Sequence, residues 1–70
     1  MEYHVKNNVE ALRIIEKLRQ EKNITMSELS RSAGFARGHL WYQLHRQGKN
    51  FSLNAAAQYA RALRISFSAS

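Results

Sequence analysis

The stretch from Thr25 to Gly34 leaves this 70-residue chain the least conformational freedom. Thr25-Met26-Ser27-Glu28 has the spacing of a capping box. In that arrangement the threonine hydroxyl and the glutamate carboxylate each satisfy a backbone N–H that the start of a helix leaves unpaired. A helix opened there ends near Ser32, with Leu29 and Ala33 turned inward. Gly34 follows, where a tight turn needs positive φ at little steric cost. Phe35 reads as a core plug beneath that turn, and a second helix runs from about Arg37 to Arg46 with Leu40 and Leu44 as its buried contacts. Two short helices must therefore meet across a sharp corner.

Helical periodicity also governs the flanks, and the chain has no proline to interrupt it. Leu12, Ile15 and Leu18 recur at three-residue steps with Val9, Ala11 and Ile14 beside them. Asn7 with Glu10 three residues on is a capped start, and Asn23 tolerates the left-handed conformation that closes a helix. A first helix is expected over roughly Asn8 to Lys22. Gln47-Gly48-Lys49-Asn50 is a loop, after which Ser52 or Asn50 starts a last helix. Its apolar stripe is Leu53, Ala56, Ala57, Ala60 and Leu63, with Tyr59 closing the edge. At the ends, Tyr3 and Val5 alternate with polar neighbours, as do Ile65, Phe67 and Ala69. Two readings stay open there: short strands that pair within the chain or across a dimer, and frayed termini.

The expected fold is one all-α domain over residues 1–70, with its core at about 8–66 and short terminal strands as an option at its ends. A chain this short buries only about 60% of its unfolded surface, so a second copy is a natural source of stability. Without cysteine it can form neither a disulfide framework nor a thiolate metal site, which fits a reducing cytoplasm. Three scattered histidines without clustered carboxylates give little reason to expect a metal, and no cofactor is expected. No apolar run approaches the roughly 20 residues that span a bilayer. The N-terminus lacks the layout of a secretion signal, so a cytoplasmic location is the default expectation.

The distribution of charge says more than the net +6. All the acids (Glu2, Glu10, Glu16, Glu21, Glu28) lie before Leu29, interleaved with Lys6, Arg13, Lys17, Arg19 and Lys22. From Leu29 onward come Arg31, Arg37, Arg46, Lys49, Arg61 and Arg64, and no acid. One part of the chain is neutral and the other is cationic. That points to a polyanionic partner, the plain alternative being a solubilising surface.

At these residues the sequence resembles the lambda-repressor and Cro-like helix-turn-helix family. The resemblance is carried by Leu18-Arg19-Gln20-Glu21-Lys22-Asn23-Ile24-Thr25, by Glu28-Leu29-Ser30-Arg31-Ser32-Ala33-Gly34-Phe35, and by Asn50-Phe51-Ser52-Leu53 with Tyr59-Ala60-Arg61-Ala62-Leu63-Arg64-Ile65-Ser66. It covers roughly residues 9 to 66, and its specificity lies in the order and spacing of the parts. Met26 departs from a common Gln, Ser30 from an Ala, Ala36 from a Ser or Thr cap, and Arg64 from a frequent Gly. No Glu ends the third helix to pair with Arg19.

The resemblance implies a four-to-five-helix domain whose third helix enters the major groove of DNA, where each base pair shows a distinct donor and acceptor pattern. Arg37, Gly38, Trp41 and Tyr42 are then the base-contacting candidates, Arg37 foremost because a guanidinium binds guanine in bidentate fashion. Tyr42 is expected to face DNA, and Trp41 to be partly buried or against the sugar edge. Phosphate contacts are assigned to Arg19, Thr25, Ser27, His39, His45, Arg46, Lys49 and Asn50. The implied function is sequence-specific binding of double-stranded DNA by a repressor of phage or mobile-element type, acting as a homodimer on half-sites about 34 Å apart. The strand-like ends or the exposed part of the last helix would join the copies. The alternative is an antitoxin-like or adaptor module that binds a protein partner, with an apolar patch around Trp41, Phe51 or Phe67. A membrane-surface role is disfavoured because the cations do not share one amphipathic face. No catalytic constellation is recognisable.

Overall fold

The computed structural model describes residues 1–69. Four helices and two short strands follow in the order β1 (Glu2–Val5), α1 (Asn8–Glu21), α2 (Met26–Ser32), α3 (His39–His45), α4 (Leu53–Leu63) and β2 (Ser66–Ala69). Among the described residues no helix is long and apolar enough to cross a membrane.

The helix starts are where local chemistry puts them. Asn7 is extended, and its Oδ1 accepts from Glu10 N–H at 2.9 Å. Thr25 and Glu28 exchange both bonds of the capping box, each at 3.0 Å. Ser52 Oγ accepts from Ala55 N–H at 3.0 Å and starts α4, which excludes Asn50. The stops are equally local. Asn23 closes α1 at φ 56° and Arg64 closes α4 at φ 60°, both in the left-handed region. Gly34 takes φ 91°, and Phe35 N–H returns to Ser30 O at 2.9 Å. Gly48 takes φ 78° and also lies so close to α1 that a Cβ would sit 3.1 Å from Val9 Cγ2.

The core joins Ala11, Leu12 and Ile15 of α1 to Leu29 and Ala33 on the α2 side, Leu40 of α3, Phe51, and one face of α4. That face differs from the expected stripe. Ala55, Ala56, Tyr59, Ala60 and Leu63 are buried, whereas Leu53 is 74% exposed and Ala57 is exposed. Tyr59 is no edge residue: it is fully buried at the centre, with Phe35 and Phe51 rings at 5.2 and 6.1 Å. Alanine packs on either side of a helix, so the aromatic ring decided which face turned in.

The strands add to the helices the short terminal pair that the sequence leaves open, and they settle the question of the ends. They pair within the chain, parallel, with Tyr3 opposite Phe67 and Val5 opposite Ala69. Parallel neighbours require a long crossover, and here the whole set of helices serves as that crossover. The rings of Tyr3 and Phe67 lie 6.4 Å apart, and His4 Nδ1 bonds Ser68 Oγ at 2.9 Å.

Candidate functional site

The corner between α2 and α3 is built on a hydroxyl. Ser30 is fully buried, and its Oγ accepts from Leu40 N–H at 3.0 Å. This bond is not among the expectations from the sequence, where Ser30 stands only as a departure from Ala. A serine where a helix crossing would accept alanine was the available signal. The bond replaces the cap that Ala36 cannot give: Gly38 precedes α3 and offers no side-chain hydrogen bond. Helix α3 accordingly begins at His39, two residues later than expected. Arg37 and Gly38 belong to the preceding turn, where His39 N–H reaches Ala36 O at 3.1 Å.

His39 faces inward through one nitrogen. Its Nδ1 lies 2.6 Å from Tyr59 Oη, its ring stacks on Phe35 at 3.9 Å, and it is half-buried. Burial lowers its pKa, because a charged imidazolium loses hydration there. With Nδ1 turned to Tyr59, only Nε2 of His39 is left for the phosphate contact expected of it. Burial raises the Tyr59 pKa in the same way, opposed by the Ser30 hydroxyl 3.4 Å away.

The outward side of α3 carries two stacked pairs, each four residues apart. Trp41 lies parallel to His45 at 5.0 Å. Tyr42 has the Arg46 guanidinium 5.4 Å from its ring centroid, and its Oη accepts from Arg46 Nη1 at 2.9 Å. Such spacing brings side chains together on one helix face, and a cation over an aromatic ring is held by the ring quadrupole. Trp41, expected to be partly buried or against the sugar edge, is 56% exposed, more than Tyr42 at 49%, which removes the first option. Arg37, Gly38, Lys49 and Asn50 are exposed, and Asn50 has left-handed backbone at φ 69°. Thr25 is exposed with its hydroxyl committed to the α2 cap, and Ser27 is half-buried in the first turn.

Arg19 does not join this surface as a free cation. Its Nε and Nη2 donate to the two Glu16 oxygens at 2.6 and 2.7 Å, and its Nη1 donates to Ile24 O at 2.7 Å. The guanidinium is a clamp on the exit of α1, and its hydrogen bonds hold the Glu16 carboxyl below its ordinary pKa. The partner sought at the end of α3 was already present three residues earlier, a spacing that pairs side chains on a helix. This is the only ion pair among the described residues, so Arg31, Arg37, Lys49, Arg61 and Arg64 stay unpaired.

A second feature lies apart from α2 and α3. A groove of about 570 Å³ runs between the start of α1, α4 and the strands, over Ala56, Ala60, Ile65 and Phe67, with Leu53 among its lining residues. Lys6 and Arg61 are its charged members. No protein-family model, curated protein or solved structure matches this chain.

Proposed function

We propose that the chain is a lambda-repressor-like helix-turn-helix domain that binds double-stranded DNA sequence-specifically, as a transcriptional repressor acting as a homodimer. The observation that carries this reading is the outer face of α3. Trp41 and Tyr42 stand exposed there, paired with His45 and Arg46, directly after the unpaired Arg37. This face lies in the part of the chain that has no acid after Glu28. Aromatic rings stiffened by their neighbours give van der Waals surface to base edges and sugars, while Arg37 reads a base and Arg46 meets phosphate. Seven helical residues span only about 10 Å, enough to read a few base pairs. Two copies on spaced half-sites extend the reading.

Selection from a pool of random duplexes tests this directly. The expected result is a short two-fold sequence, bound more weakly as salt rises. Recovery of unselected sequence, or no retention of duplex at low salt, overturns the reading.

One observation favours a second reading, an antitoxin-like or adaptor module. The groove beside α4 and the exposed Leu53 form an apolar surface that no residue of α3 lines. A stable complex with another protein that covers Phe67 and leaves α3 exposed would select that reading.

A further inference from the structure

Buried hydroxyls give their hydrogens to acceptors, and two hydroxyls and one imidazole here are linked by that requirement. Ser30 Oγ accepts from Leu40 N–H, so its own hydrogen must go elsewhere. Ser30 is fully buried, and the acceptor it meets among the described residues is Tyr59 Oη, at a long 3.4 Å. Tyr59 is fully buried in turn, and if its oxygen accepts from Ser30 its own O–H is left to donate to His39 Nδ1, 2.6 Å away. A ring nitrogen that accepts carries no hydrogen, so the neutral imidazole holds its hydrogen on Nε2. The other ring nitrogen, Nε2, has no protein partner among the described residues and is not buried.

We propose that this relay from α2 through α4 fixes His39 as an uncharged Nε2–H donor, and that the donor's acceptor is an oxygen or nitrogen of duplex DNA. The second half rests on the DNA-binding reading above; the first half does not. Ser30 and Tyr59 are positioning residues that decide which nitrogen holds the hydrogen, and the Phe35 ring fixes its plane. A neutral donor adds direction without releasing a counterion, so it differs in kind from Arg37 or Lys49.

Nitrogen NMR of the histidine rings in the unmodified chain tests the relay near neutral pH. The expected signature is a His39 with hydrogen on Nε2 and a coupling from the Tyr59 hydroxyl to Nδ1. Hydrogen on Nδ1, or the absence of that coupling, overturns it. Tyr59→Phe is expected to mix the two ring forms, and an unchanged ring in a folded variant also overturns it.

Duplex titrations test the acceptor. His39→Leu should bind about tenfold more weakly with an unchanged salt slope, and His39→Gln, whose amide nitrogen replaces Nε2, should recover most of that loss. A loss equal on all sequences assigns a phosphate oxygen, and a loss confined to the selected sequence assigns a base edge. A lowered salt slope in His39→Leu means a charged contact and overturns the proposal. Undiminished binding by His39→Leu overturns the donor role while leaving DNA binding intact. An unmodified chain that binds no duplex overturns the functional reading itself, whatever the ring form.

Discussion

Leu40 N–H donates to Ser30 Oγ at 3.0 Å, so α3 is capped by a residue of α2. The two helices are therefore not independent: the one that meets the corner also holds the first turn of the other. Ser30→Ala keeps the packing volume nearly unchanged but strands a buried N–H, which costs about 1–3 kcal/mol. Urea unfolding should show that loss, with faster amide exchange at Leu40. A variant as stable as the parent would mean that the bond contributes nothing.

The Glu16–Arg19 clamp gives the protein an acid-sensitive joint. The folded pKa of Glu16 lies below its ordinary value of 4.5, chiefly through the hydrogen bonds from Arg19. A carboxyl whose pKa is lowered on folding contributes stability that is fully present above its unfolded pKa and is lost as pH falls through the folded one. Stability should therefore decline below about pH 4.5. Glu16→Gln should be less stable near neutral pH and should lose less on acidification. Parallel acid profiles for parent and variant would remove Glu16 from the account.

Arg37 is exposed and unpaired just before α3. Arg37→Ala should weaken binding to the selected sequence by about 1–3 kcal/mol and relax one base position. Competition titrations against single-base variants of that sequence measure both. Equal losses on every duplex would make Arg37 a phosphate contact.

Lys49 sits in the exposed loop before α4. Lys49→Ala should weaken binding evenly across sequences and reduce the slope of log affinity against log salt by about one. An unaltered slope places Lys49 outside the footprint.

Leu53 is 74% exposed at a helix start and lines the apolar groove. Leu53→Asp should leave the folded monomer intact while shifting sedimentation at micromolar concentration from dimer to monomer. A parent that sediments as a monomer even on a two-fold duplex counts against the dimer, and an unaffected dimer moves the contact elsewhere.

Helix limits were legible where the deciding atom lies within a few residues. Asn7, Thr25 and Ser52 cap the chain directly after themselves, and Asn23 and Gly34 need only their own backbone. What escaped depends on distant partners. Helix α3 starts late because its cap comes from Ser30, ten residues back. The inward face of α4 is chosen by where the Tyr59 ring fits, and an alanine-rich helix carries little other preference. Arg19 looked free because a partner was sought on another helix rather than at Glu16. At the candidate site, the outward direction of Tyr42 followed from Leu40 and Leu44 pointing in, and Trp41 proved still more exposed. The His39 contact could not be read, because it needs the position of Tyr59.

The parallel pairing of Glu2 with Ser66 and Val5 with Ala69 also sets an order of events. A contact across so much chain carries the largest loop-closure cost in the molecule unless the helices have already drawn its ends together. Four residues per strand cannot nucleate such a pairing alone. The strands thus work as a latch across the two ends of the chain: their pairing depends on the helices having brought residues 2–5 and 66–69 side by side.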